Sequence, residues 1–170
     1  RALDLDSRGV VDTLWAVAAL REGAPLLDVL LPVLVQRLIR TAEGMTAQDA
    51  GIALCALAAL RLEVAALSLR TEPLAEFLLD VILASDLDVE PWLLGNLFWA
   101  TARFHFDQER VSALLQMLVP AVEARLGELD PQVLCLVPWA LAVLRRDGYN
   151  VDGSKLMPPL LLRIQAVAAS

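Results

Sequence analysis

The sequence predicts an all-α protein, a right-handed α-solenoid of about four helix-turn-helix repeats of roughly 40 residues each. Three observations carry this. Of the 170 residues, 58% are apolar, above the ~45–50% of an average soluble domain. Leu and Ala dominate that fraction, β-branched runs are scarce and Tyr149 is the only tyrosine, a balance that favours helix over strand. Four segments also match in phase: Leu14-Trp15-Ala16-Val17-Ala18-Ala19-Leu20, Leu54-Cys55-Ala56-Leu57-Ala58-Ala59-Leu60, Phe98-Trp99-Ala100-Thr101-Ala102-Arg103-Phe104 and Pro138-Trp139-Ala140-Leu141-Ala142-Val143-Leu144. Their anchors Ala16, Ala56, Ala100 and Ala140 are spaced by 56−16 = 40, 100−56 = 44 and 140−100 = 40 residues.

The repeats divide one domain, residues 1–170, at about 6–45, 46–88, 89–129 and 130–168. In the first, Asp6 stands ten residues before the anchor. Its carboxylate is a good N-cap, accepting orphan N–H groups of the first turn. Helix A then runs over 7–20, and Arg21 follows at its negative end. Helix B covers 26–41, with Pro32 five residues before Arg37. In the second repeat Thr46 caps helix A over 46–62, which ends on Arg61. A long lead-in, Glu63 to Thr71, precedes helix B over 72–85, and Pro73 is followed by Leu78 where the other repeats place an arginine.

In the third repeat Glu90 is a weaker cap with which Asp88 competes, and Pro91 occupies the first helical position, where a missing N–H costs nothing. Helix A covers 90–105 and ends on His105; helix B covers 108–126, with Pro120 before Arg125. In the fourth, Asp130 caps and Pro131 follows. Helix A covers 130–146 with Arg145 near its end, and Pro138 stands where the other repeats have Leu or Phe. Helix B covers 154–168, with Pro158 before Arg163. The prolines should kink or restart the B helices, because each removes an interior hydrogen bond. Stacking such pairs buries apolar faces that no pair buries alone. The apolar tail Leu160 to Ala169 should then be covered by a neighbour.

No stretch reaches the ~18 uninterrupted apolar residues of a membrane span. The purest run, Ala50 to Leu60, stops at Arg61, and the run from Ala24 to Val35 carries Asp28 and Pro32. The composition also excludes a disordered chain. The chain opens at Arg1 with no signal-peptide core, so the reading is of a longer or processed protein.

The net charge is −7, from 21 acids against 14 bases. A compact nucleic-acid binder usually shows a basic excess. Thirteen of the bases are Arg and only Lys155 is Lys. Arg suits bidentate recognition of phosphate and carboxylate, although genomic GC bias gives the same skew. The bases ending the A helices, Arg21, Arg61, His105 and Arg145, either complement the helix dipole or form a ladder facing an anionic partner. Trp15, Trp99 and Trp139 precede their anchors, with Cys55 at the second. They pack in the core or offer a platform for a base. Cys55 and Cys135 sit in apolar runs and read as buried thiols.

Catalysis is not expected. His105 is the only histidine, and neither a Gly-rich phosphate loop nor a nucleophile elbow nor a zinc-protease motif is present. The pairs Asp4/Asp6, Asp86/Asp88 and Asp107/Glu109 fall at helix starts, where capping accounts for them. No cofactor, metal or small-molecule substrate is implied.

The repeated phrase resembles the helical arrays of octotricopeptide-repeat proteins and of FAST-kinase-like proteins that carry a RAP domain. Those families show an x-Pro-Gln lead-in before a Leu-Trp-Ala-Leu-Ala-like helix. Here it reads Met45-Thr46-Ala47-Gln48-Asp49 before Leu54-Cys55-Ala56-Leu57-Ala58, and Leu129-Asp130-Pro131-Gln132 before Pro138-Trp139-Ala140-Leu141-Ala142. The likeness covers about residues 6–168. Arg8 and Trp92 replace the glutamine in repeats one and three, and no RAP domain is visible. The resemblance implies binding of single-stranded or ribosomal RNA in mitochondria or plastids, in transcript processing, stability or translation or in an organellar ribosome. It implies that A helices line a concave surface, with Arg8, Asp12, Gln48, Asn96 and Gln132 as readers and Arg21, Arg61, His105 and Arg145 at the rim. The acidic charge and apolar ends favour a different reading, a protein–protein scaffold or structural subunit.

Overall fold

The computed structural model describes residues 5–20 and 27–169, and all regular structure among them is helical. In chain order the helices are α1 (Ser7–Ala19), α2 (Leu27–Thr41), α3 (Ala47–Ala59), α4 (Arg61–Ala66), α5 (Glu72–Leu83), α6 (Pro91–Arg103), α7 (Gln108–Ala124), α8 (Pro131–Arg146) and α9 (Met157–Ala168). They form two compact units, Arg1–Asp86 and Leu87–Ser170. Within the first, α1 packs on α3, α2 on α1, and α5 and the short α4 on α3. Within the second, α6 packs on α8, α7 on α6 and α9 on α8. Each unit is thus two A–B helix pairs joined through their A helices, a helical-repeat-like architecture.

The starts of the A helices follow from local chemistry. Asp6 Oδ1 accepts the Gly9 N–H at 2.8 Å, the Thr46 hydroxyl accepts that of Asp49 at 3.1 Å, and Asp130 Oδ1 accepts that of Val133 at 2.9 Å. Each such cap stabilises its helix by about 0.5–2 kcal/mol. Glu90 makes no side-chain cap bond, and Pro91 stands at the first turn of α6. Asp107 adds a cap to a B helix, accepting the Arg110 N–H at 2.8 Å.

Several expectations are corrected. The helix expected over 46–62 ends at Ala59; the Leu60 N–H closes on the Ala56 carbonyl, and α4 starts at once at Arg61 and runs into the long lead-in. Helix A of the third repeat stops at Arg103, because Phe104 turns extended and its buried ring lies 5.3 Å from that of Phe106. Helix B of the fourth starts at Met157, after a turn in which Asp152 accepts the Ser154 N–H. Neither Pro32 nor Pro120 restarts its helix, since α2 and α7 run on through them. Cys135 is exposed, not buried, because it lies on the solvent side of α8 with Gln132, Trp139 and Ala142. Trp15 and Trp139, at 36% and 44% exposure, do not sink into a core, while Cys55 in the same register is fully buried.

The repeated arginines of the B helices are structural. Arg37 donates through Nε and Nη2 to the Leu5 carbonyl at 3.3 and 3.1 Å, Arg125 through Nη1 to the Val89 carbonyl, and Arg163 through Nη2 to the Gly127 carbonyl at 3.2 Å. Each ties a B helix to the chain leading into the A helix of its own pair. In the second repeat Leu78 replaces the arginine and is fully buried.

Candidate functional site

The expected reader positions fall on one register of the A helices. In α1, Arg8, Asp12 and Trp15 are exposed along one stripe at i, i+4 and i+7. Arg8 Nη1 donates to Asp49 Oδ1 at 2.8 Å and Nε to Asp12 Oδ2 at 3.2 Å, and the bond to Asp49 leads in raising the guanidinium pKa above its ordinary value. Asp49 is buried and its other oxygen accepts the Thr46 hydroxyl at 3.0 Å. This network sews α1 to the start of α3, so Arg8 and Asp12 are brought together in a structural contact.

Gln48 is half-buried in the first turn of α3. Asn96 is half-buried in α6 and donates through Nδ2 to the Trp92 carbonyl at 2.8 Å. Gln132 is exposed in the first turn of α8. Of the rim residues, Arg61 is exposed at the start of α4 rather than in the last turn of α3, His105 is exposed just beyond Phe104, and Arg145 is exposed in the last turn of α8. Arg21 lies outside the described residues.

A feature not read from the sequence lies along α6. Trp92, Asn96, Trp99 and Arg103 recur at i, i+4, i+7 and i+11, all half-buried, and the Arg103 guanidinium sits 5.7 Å from the Trp99 ring centroid. That distance is within cation–π range. The i, i+4 spacing of Trp99 and Arg103 was the signal that could have found it. In α8 the same register carries Gln132 and exposed Trp139. Neither helix contains an acid: α6 ends on Arg103 and α8 on Arg145 and Arg146. By contrast α5 holds Glu72, Glu76 and Asp80 without a base.

The thiols and acids offer little reactive chemistry. Burial pushes the Cys55 thiol pKa well up, away from the thiolate a nucleophile needs. Asp147 is held below the usual carboxylate range by its bond from Arg146, at 2.8 Å, and Asp152 by its bonds from Ser154. Among the described residues no group of three His, Cys, Asp or Glu is placed to hold a metal ion, and no helix is long and apolar enough to cross a membrane.

No family model, no curated protein and no solved structure matches this chain. The likeness to octotricopeptide-repeat arrays therefore rests on the repeated phrases themselves.

Proposed function

We propose that this chain is a non-enzymatic binding module of a helical-repeat array, a right-handed solenoid of four pairs, and that its A helices engage single-stranded RNA. The observation that carries the reading is the acid-free, tryptophan- and arginine-bearing stripe of α6 and α8. Aromatic faces stack bases regardless of sequence, and arginines neutralise the backbone. A chain of net charge −7 remains compatible with this, because the local field and not the sum governs an encounter. The resemblance adds the setting, mitochondrion or plastid, and the role, transcript processing or stability, translation or the organellar ribosome.

Fluorescence anisotropy with a labelled single-stranded RNA at low and raised salt tests the proposal. Binding should weaken as salt rises, and Trp139→Ala should cost about 1–3 kcal/mol, the stacking of one base. Absence of binding at low salt, or binding indifferent to Trp139→Ala, overturns it.

A protein scaffold is the second reading. It is favoured by exposed apolar side chains on B helices, Val29 and Val33 on α2 and Leu162 on α9. A partner retained after nuclease treatment would support it over RNA.

A further inference from the structure

We infer that the chain associates with a second copy of itself head to tail, the outer side of α8 in one copy packing on the outer side of α1 in the next. Gly95 marks the side of α6 that faces α8: a Cβ added there would meet Val133 Cγ1 at 2.5 Å. On the same side, one and two turns on, lie Phe98, fully buried, and Ala102, half-buried. The same register in α1 is Val11, Leu14 and Ala18, all buried in the helix that packs on α3. In α8 it is Cys135, Pro138 and Ala142, of which Cys135 and Ala142 are exposed and Pro138 half-exposed.

The opposite side of the A helices shows the complementary pattern. Val133, Val137, Ala140 and Leu144 are buried in α8, which packs on α6, and Asp49, Ala53, Ala56 and Leu60 are buried in α3, which packs on α1. Their equivalents in α1 are Gly9, Thr13, Ala16 and Leu20. The first two are half-buried, Ala16 is exposed and Leu20 is 71% exposed. The helix α8 therefore presents one half of an A–A interface, and α1 presents the other.

The C-terminal half is extended by α9. Met157 lines a hollow with residues of α8, and Leu161, one turn on in α9, is 48% exposed. Between Pro138, Ala142, Arg145 and Met157 lies a half-open hollow of about 370 Å³ with room for apolar side chains of an incoming helix. The internal interfaces α1–α3 and α6–α8 show what covers such a side, namely the opposite side of another A helix. Among the described residues that surface stands partly open on α1, with Ala16 and Leu20 exposed. Because the two patches differ, the contact is heterologous.

Sedimentation of the whole chain over a range of concentrations tests this. The weight-average mass should rise above that of one chain as concentration increases. Ala16→Glu and Ala142→Glu substitute exposed positions, and unchanged circular dichroism would show that both fold. Each alone should stay monomeric. An equimolar mixture should give one-to-one dimers that grow no further, because each variant retains one intact end. Alkylation of Cys135 should slow with concentration in the parent chain and not in Ala16→Glu. A single-chain mass throughout, with Cys135 alkylated at a concentration-independent rate, overturns the inference and leaves these faces to a different partner. Self-association that persists in either variant alone also overturns it.

Discussion

Asp49 and Asp107 show how one residue type does different work by position. Asp49, almost without solvent, joins Arg8 of α1 to Thr46 at the start of α3, so its loss would cut the tie between the two helices and leave Arg8 with Asp12 of its own helix. Asp107 is an exposed cap whose carboxyl is held below the usual carboxylate range by the Arg110 N–H first and its side chain second. A depressed folded pKa means that the contribution of Asp107 is complete above the unfolded value, about 3.9. It is lost as pH falls through the folded value. Asp107→Asn keeps a capping oxygen but loses the charge that meets Arg110, so urea denaturation should show a small loss of stability at neutral pH. Below about pH 4 the fall in stability with acid should be shallower than in the parent chain. Capping residues were legible in the sequence because their chemistry acts within three residues. The exposure of Trp15, Trp139 and Cys135 was not, because the same register is buried in α3, flanked by helices on more than one side, and open in α1 and α8.

At the scale of elements, periodicity located the helix pairs, and the structure adds what holds them. The helices α6 and α8 approach closely at Gly95, where the added methyl of Gly95→Ala would also stand 3.0 Å from the Val133 carbonyl oxygen. Overpacking of this kind costs about 1–3 kcal/mol. The double variant Gly95→Ala/Val133→Ala should recover part of that loss, since the nearest atom is removed while the carbonyl remains. A double-mutant cycle in urea reads the coupling directly. The ties from B helices are a second device. Their period, an arginine five residues after a proline, stood in the sequence, but a backbone carbonyl as acceptor leaves no sequence signature. Arg125→Met keeps most of the apolar stem and removes the bond to the Val89 carbonyl. It should lower stability by about 1–3 kcal/mol, the cost of leaving a charged donor's partner unmet. A similar loss in an exposed arginine such as Arg40 would sink this account.

Over the whole molecule, charge is distributed rather than absent. The surplus of acids gathers at helix starts and on α5, and α6 and α8 end on arginines. If Arg103, Arg145 and Arg146 supply the phosphate contacts, three charges at ~0.7 each give a slope of about −2 in log affinity against log salt for a single strand. A much steeper slope would place the contacts elsewhere. The apolar excess, which alone suggests a membrane, is absorbed by A helices such as α3 that are buried nearly all round.

The arginine ties also set how the chain finds its fold. Each spans only 32 or 36 residues and closes within its own helix pair. Contacts this local keep the loop-closure search short, and chains dominated by them fold quickly. A pair can latch as soon as its second helix has left the ribosome, before the next pair has been made. Synthesis then proceeds by adding latched links, and the apolar side by which one A helix packs on the next stays open until that next helix has been made.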